Sequence, residues 1–225
     1  MLTPLLGASP DRRLAAQAYE QLLDLIMSGR LPPGTMIQER RLAEHLHMSR
    51  TPLRDALIML EHDGLVSRPG GRGLQVRHLD LDGFIENLAI RLLLEPEAAR
   101  LAAGRIPAAM LDGIRVRLEA LLAGAVERPG APDRSEVRSL DDELHSAITA
   151  AAGNRQMEAI VRTLRRQTQM FDLRSMPERL EATCREHLAV VAALAAGQRD
   201  AAADAMRTHL DGVRQSIVQR LARTR

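Results

Sequence analysis

The stretch from Gln38 to Val76 leaves this chain few ways to fold. Leu42, Ala43 and Leu46 fall on one face of a short helix, Met48 sits in the turn after it, and Ser49 stands at the N-cap of the next helix. That second helix opens at Arg50-Thr51-Pro52, where a first turn tolerates proline because its missing N–H has no partner there anyway. Leu53, Leu57 and Leu60 form its buried face, and Asp63-Gly64 ends it. Two short strands then flank the tip Pro69-Gly70-Gly71-Arg72-Gly73, namely Leu65–Arg68 and Leu74–Arg77. Two helices, a tight connection and a glycine-rich hairpin make a winged helix-turn-helix. Arg50, Thr51 and Arg54 then lie at the exposed N-terminal end of the second helix, where such motifs enter the DNA major groove. Arginine there can grip guanine O6/N7 with two bonds or clamp phosphate. A glycine tip lets backbone come close to a sugar-phosphate chain.

The rest of the chain predicts helix. Of 225 residues only Tyr19, Phe84 and Phe171 are aromatic, while alanine, leucine and arginine dominate, which disfavours a large sheet. Residues 1–10 read as a flexible arm and 11–78 as the winged helix, whose first helix covers Asp11–Ser28. Residues 79–225 read as an all-α antiparallel bundle of about six helices, with breaks near Gly104–Pro107, Arg128–Asp133, Gly153-Asn154, Ser175–Pro177 and Gly197-Gln198. Pro96 falls inside the first helical pattern of the bundle and predicts a kink or two helices meeting. The net charge is only +2, but residues 1–79 hold ten of the 31 basic and eight of the 29 acidic side chains, leaving 21 of each beyond. The excess therefore sits with the winged helix, as a DNA footprint requires. The single cysteine, Cys184, rules out an internal disulfide framework and fits a reducing compartment. There is no signal-like N-terminus and no bilayer-length apolar run, so a cytoplasmic location with no membrane partner is expected.

A second site is legible in the bundle. Asp141 and His145 are four apart and share a helix face. His187 and His209 lie ten residues before and twelve after Gly197, so a helical hairpin turning there sets their imidazoles at similar height. Three histidines and an aspartate suit a divalent transition metal, whether zinc, nickel, manganese or iron. Taken singly, an Asp–His pair is commonly a surface contact and a helical histidine is usually no ligand. His45, His47 and His62 are expected on the surface of the winged helix, and Phe84 and Phe171 in the core; Cys184, one turn before His187, is expected as a packed apolar group or near the metal.

Leu14–Val76 resembles the winged-helix domain of the GntR family of bacterial transcription regulators. The likeness rests on Ile26-Met27-Ser28-Gly29-Arg30-Leu31-Pro32-Pro33-Gly34, Glu39–Glu44, Ser49–Leu57 and the Asp63-Gly64-Leu65-Val66…Gly70–Val76 wing. The resemblance implies that Arg40, Arg50, Arg54 and Gly71, with Arg72 at the wing, face operator DNA in members of the fatty-acid-regulator (FadR) type. The later segment resembles the FCD ligand-binding domain of the same family, on Asp141…His145, Ala151-Ala152-Gly153-Asn154, Glu186-His187 and His209-Leu210. That likeness implies Asp141, His145, His187 and His209 as metal ligands. It also implies a small carboxylate effector chelated at open coordination positions, with Arg91 facing the pocket and Arg162 and Arg165 as further cations. The rival for Arg91 is an i,i+4 ion pair with Glu95.

The expectation is a homodimeric regulator, in the commoner case a repressor, that binds a palindromic double-stranded DNA operator and responds to a small organic acid at its metal site. It is not expected to be an enzyme. A metal-dependent hydrolase is the rival from another class, since three histidines and an aspartate also describe catalytic zinc. Against it, His-Glu-x-x-His is missing, and Asp142 and Glu143 point off the cluster's face. A regulator that binds an acyl-thioester without metal is the second rival.

Overall fold

The computed structural model describes residues 10–71, 73–127, 134–170 and 179–223. The chain divides into two compact units: one runs to Leu81 and takes in the segment from Arg166, and the other holds the remainder from Asp82. The arm assigned to residues 1–10 falls outside the described residues except for Pro10, which opens the first helix.

In the first unit the order is α1 (Pro10–Met27), α2 (Glu39–His45), α3 (Arg50–His62), β1 (Val66–Ser67), a single 3-10 turn at Pro69–Gly71 and β2 (Gln75–Val76). The apolar positions spaced along α1 and α3 meet each other: Ala18, Leu22, Leu53, Leu57 and Leu60 are at most 1 % exposed. Each such leucine contributes about 1.5–3 kcal/mol by leaving water, which is what holds three short helices together. Ser49 stands at the N-cap of α3 in extended conformation, but its side chain makes no capping hydrogen bond. The turn before it is set instead by His47 at φ 51 and by Met48 N–H donating to Ala43 O at 3.0 Å. Leu46 is only partly buried against the core that holds Leu42 and Ala43.

The strands pair antiparallel with Val66 opposite Val76 and Ser67 opposite Gln75. Chain from Gly34 to Ile37 lies along the far side of β2: Val76 N–H donates to Thr35 O at 2.9 Å, and Ile37 N–H to Leu74 O at 2.8 Å. The wing is therefore pinned on both edges of β2, and only its tip projects.

Beyond the wing the described chain consists of six helices, α4 (Leu81–Ala102), α5 (Ala108–Glu127), α6 (Arg134–Ala152), α7 (Arg155–Met170), α8 (Leu180–Ala195) and α9 (Arg199–Arg223), all in the second unit except Leu81 and the end of α7 from Arg166. The expected breaks at Gly104–Pro107, Gly153-Asn154 and Gly197-Gln198 fall between these helices; those at Arg128–Asp133 and Ser175–Pro177 lie outside the described residues. Pro96 does not divide α4, which runs unbroken from Leu81 to Ala102. Its neighbours Glu95, Ala98 and Ala99 are buried, so packing on that face outweighs the one backbone bond the ring removes. Gly197, at φ 66, closes the α8–α9 hairpin, and a Cβ at Gly104 would stand 3.5 Å from its Cα. Leu88, Ile114, Leu144, Ile148, Val190 and Leu210 lie in the interior, and Phe84 joins them at 1 % exposed. Phe171 lies outside the described residues.

Candidate DNA-contacting surface and metal centre

Helix α3 presents Arg50 and Arg54 on one face, one turn apart, with 60 % and 58 % of each side chain exposed. Both turn toward Glu39 at the start of α2: Arg54 Nε donates to its Oε2 at 2.7 Å, and Arg50 Nη2 lies 3.8 Å from the same oxygen. The bond from Arg54 is the main reason the Glu39 carboxyl is held below its usual range. Thr51 is exposed beside them. Arg40 reaches only Glu44, at 3.8 Å, and remains exposed. Gly71 sits at the wing tip with φ 73, in a conformation that a side chain disfavours, although a Cβ there would meet nothing within 4 Å. Its glycine is explained by backbone conformation and not by space. Arg72 lies outside the described residues. Two side chains of this surface had no signal in the sequence: Glu39, which ties the two arginines back to α2, and Arg68, whose Nε donates to Glu61 at 3.0 Å. Both contacts join residues from different elements.

The bundle brings the four expected ligands together. Asp141 and His145 come from α6, His187 from α8 and His209 from α9, and one ligand atom from each lies within 4.8 Å of the other three. His187 Nε2 is 3.3 Å from His209 Nε2, and Asp141 Oδ1 is 3.4 Å from His187 Nε2 and 3.6 Å from His145 Nε2. A metal bound at ~2.0–2.2 Å by four tetrahedral ligands separates neighbouring donors by ~3.3–3.6 Å. Three of the separations fall near that figure, and the remaining ones are at most 4.8 Å. His145 Nε2 is buried with no hydrogen-bond partner, in a protein interior where such an atom normally finds one. An orphaned acceptor aimed at two other imidazoles fits a cation.

The other ring nitrogens explain the orientation. His145 Nδ1 makes a short hydrogen bond with Glu95 of α4, and His209 Nδ1 lies 2.9 Å from Glu186 Oε2 of α8. A carboxylate on Nδ1 fixes the tautomer with its proton there and leaves Nε2 as a lone-pair donor. Glu95 also accepts from Arg91 Nε at 2.5 Å, and Glu186 from Arg179 Nη2 at 2.6 Å. Burial would raise the Glu95 carboxyl, but the Arg91 charge, with the hydrogen bond from His145, outweighs it and holds Glu95 ionised. Asp141 is likewise held well below its usual range, its burial overcome chiefly by the Arg165 charge. Burial depresses His187 well below the usual imidazole range and His209 to about 3, so both rings are neutral near pH 7 and fit to ligate.

The predicted cations divide. Arg91 is buried and forms the ion pair with Glu95, and its charge is also felt at His209. Arg165 is buried too, with Nη2 donating to Asp141 Oδ2 at 2.6 Å and Asp142 Oδ1 at 2.8 Å. Arg162 is exposed. Cys184 is not part of the cluster; it is buried, and burial pushes its thiol up to about 11. Asp142 and Glu143 pair with Arg165 and Arg117. Glu95 and Glu186 are the functional side chains that spacing alone missed. A signal was present for Glu186, which obeys the same height rule in the α8–α9 hairpin as the histidines do.

Comparison with known proteins agrees with this division. Residues 14–76 match the family described as bacterial regulatory proteins, gntR family, and residues 86–212 match the FCD domain. The HTH-type transcriptional repressor RspR of Escherichia coli K12 is 30% identical over 216 residues, covering 94% of this chain and 92% of that protein. The Nta operon transcriptional regulator of Aminobacter aminovorans is 32% identical over 132 residues, 59% of this chain and 60% of its own. Among solved structures, E. coli McbR/YncC superposes with a TM-score of 0.76 at 23% identity, covering 92% of this chain and 98% of that one, a likeness of fold. These families and relatives are transcription regulators and not enzymes, which removes the hydrolase alternative. No described helix is long and apolar enough to cross a membrane. The chain belongs to the GntR family of DNA-binding transcription regulators, with an FCD domain as its second unit.

Proposed function

We propose that this regulator binds a palindromic operator as a homodimer, in the cytoplasm, and that a small organic acid held at a metal in the FCD unit sets its occupancy. The observation that carries the sensing half is the convergence of Asp141, His145, His187 and His209 around the orphaned Nε2 of His145. A bound divalent ion would supply Lewis acidity and open coordination positions for the oxygens of a hydroxy- or keto-acid. The protein's part is to orient His145 through Glu95 and His209 through Glu186, and to keep positive charge nearby on Arg91 and Arg165. Arg91 is assigned to the effector carboxylate; its partner Glu95 would share it with the bound acid.

On the DNA side, Arg50, Thr51 and Arg54 are assigned to the major groove, Arg40 to the adjoining backbone, and Gly71 with Arg72 to the wing contact. One recognition helix covers few base pairs, and two related by a two-fold axis read both halves of a palindrome. Effector binding would bias the spacing of the two winged helices, and a coupling of about 1–3 kcal/mol changes occupancy several-fold or more. The sign adopted is repression relieved by the acid, in keeping with the relative that is described as a repressor.

Fluorescence anisotropy on fragments of the chain's own promoter region tests this, with and without organic acids and a chelator. Arg54→Ala is expected to lose operator binding and keep its metal. His187→Ala is expected to lose metal and effector response while still binding DNA. A wild-type protein that ignores every fragment at low salt would remove the operator assignment, and metal content unchanged in His187→Ala would remove the metal centre.

A further inference from the structure

Helix α9 carries a glycine that its backbone does not need. Gly212 lies in the interior of Arg199–Arg223 with ordinary right-handed helical backbone, where glycine destabilises a helix relative to alanine. What it provides is space. A Cβ there would stand 2.8 Å from Arg179 Nη2, 2.8 Å from Glu186 Oε1 and 3.1 Å from Arg179 Nη1. Gly113 and Gly124 of α5 are also helical, and a Cβ at either would meet nothing within 4 Å. The guanidinium that fills the notch is tied on three sides: Nη2 donates to Glu186 Oε2 at 2.6 Å and to His209 O at 3.3 Å, and Nη1 donates to Ser216 Oγ at 3.1 Å. Ser216 Oγ in turn donates to Gly212 O at 2.9 Å. At about 100° per residue, His209, Gly212 and Ser216 fall within about 60° of one another on α9, so the notch and the imidazole share one face.

We propose that Gly212 and Arg179 are positioning residues for the metal ligand His209, acting through Glu186. The proposal rests on the metal centre put forward above and names the residues that set its affinity. Glu186 Oε2 is shared: it accepts from Arg179 Nη2 and lies 2.9 Å from His209 Nδ1. Fixed by the guanidinium, this carboxylate holds the His209 ring with Nε2 turned to His187 Nε2, 3.3 Å away. Only a planar fork spans Glu186, His209 O and Ser216 at once, because its donors point along fixed directions. A methyl group at position 212 cannot share that space with the fork. Since the nearest atoms are the ends of two side chains, α9 keeps its path while Arg179 and Glu186 give way. The loss therefore falls on the bonds to Glu186, and through them on His209. Arg179 is 11 % exposed and Glu186 17 %, so little water is at hand to replace those bonds.

Competition titration with zinc and absorption spectra of the cobalt(II) form, both on the full chain, test this. Wild type is expected to bind both ions. Gly212→Ala is expected to lower zinc affinity by about tenfold to a hundredfold and to shift the cobalt(II) ligand-field bands, with helicity by circular dichroism unchanged. Gly113→Ala, a like substitution in an open place, is expected to match wild type in both. Arg179→Lys, which keeps the charge and loses the fork, should also weaken zinc binding, and it reads the same contact if Gly212→Ala does not fold. The two positions are coupled: in an Arg179→Ala background, adding Gly212→Ala should lower affinity by less than about threefold more. Gly212→Ala with wild-type affinity and bands overturns the proposal while the metal centre stands, as does a double variant whose losses multiply. A wild type that binds neither ion removes the centre and the proposal with it.

Discussion

Glu95 does more than its neighbours in sequence suggest. It is 1 % exposed, ionised, and shared between Arg91 one turn back and His145 fifty residues on. Removing its charge while keeping its shape separates its two roles. Glu95→Gln should weaken zinc binding tenfold to a hundredfold, because the amide no longer fixes the His145 tautomer, as a competition titration will read. It should also cost about 3–5 kcal/mol in urea unfolding, since the buried Arg91 loses its ion pair with Glu95. Unchanged zinc affinity would reduce Glu95 to a structural ion pair. The sequence offered this residue only as the bland partner of Arg91, because the contact that gives it meaning comes from α6.

At the scale of elements, α3 serves two masters. Its buried face, Leu53, Leu57 and Leu60, is the centre of the winged helix, and its exposed face carries Arg50 and Arg54. Leu57 is 1 % exposed, so Leu57→Ala should destabilise the unit by about 2–5 kcal/mol through lost burial and the cavity left. Operator affinity measured well below the new melting point should change little, since no DNA-facing group is altered; a large loss there would mean that the core sets the arginine positions. Periodicity of apolar residues sufficed to find α3, as it did the helices of the bundle, because one-sided burial imposes a 3.6-residue repeat. Of the two outcomes it left open at Pro96, the meeting of two helices is excluded, since α4 runs unbroken from Leu81 to Ala102. The Ser49 cap also differs: the position is right, and the side-chain bond is absent.

For the whole molecule, the small net charge of +2 hides the uneven distribution that matters for DNA. Affinity for the operator should fall linearly in log–log form with salt, by about 0.9 per phosphate neutralised. Arg40→Ala, if Arg40 meets backbone, should lower that slope by about one and weaken all sequences alike, whereas Arg54→Ala should relax preference at a base. Anisotropy titrations at several salt concentrations, on operator and scrambled duplexes, distinguish the two.

The sequence alone determined the class of each unit and the identity of the four candidate ligands. Both come from short-range regularities: helical repeat, turn residues at the breaks, and similar distances from the Gly197 bend, with His187 Nε2 3.3 Å from His209 Nε2. Only tertiary structure decided how those ligands are held. Glu95 against His145, Glu186 against His209 and Arg165 against Asp141 each join different helices. Such pairings depend on helix rotation and separation, quantities fixed by packing of the whole bundle, and no local spacing encodes them.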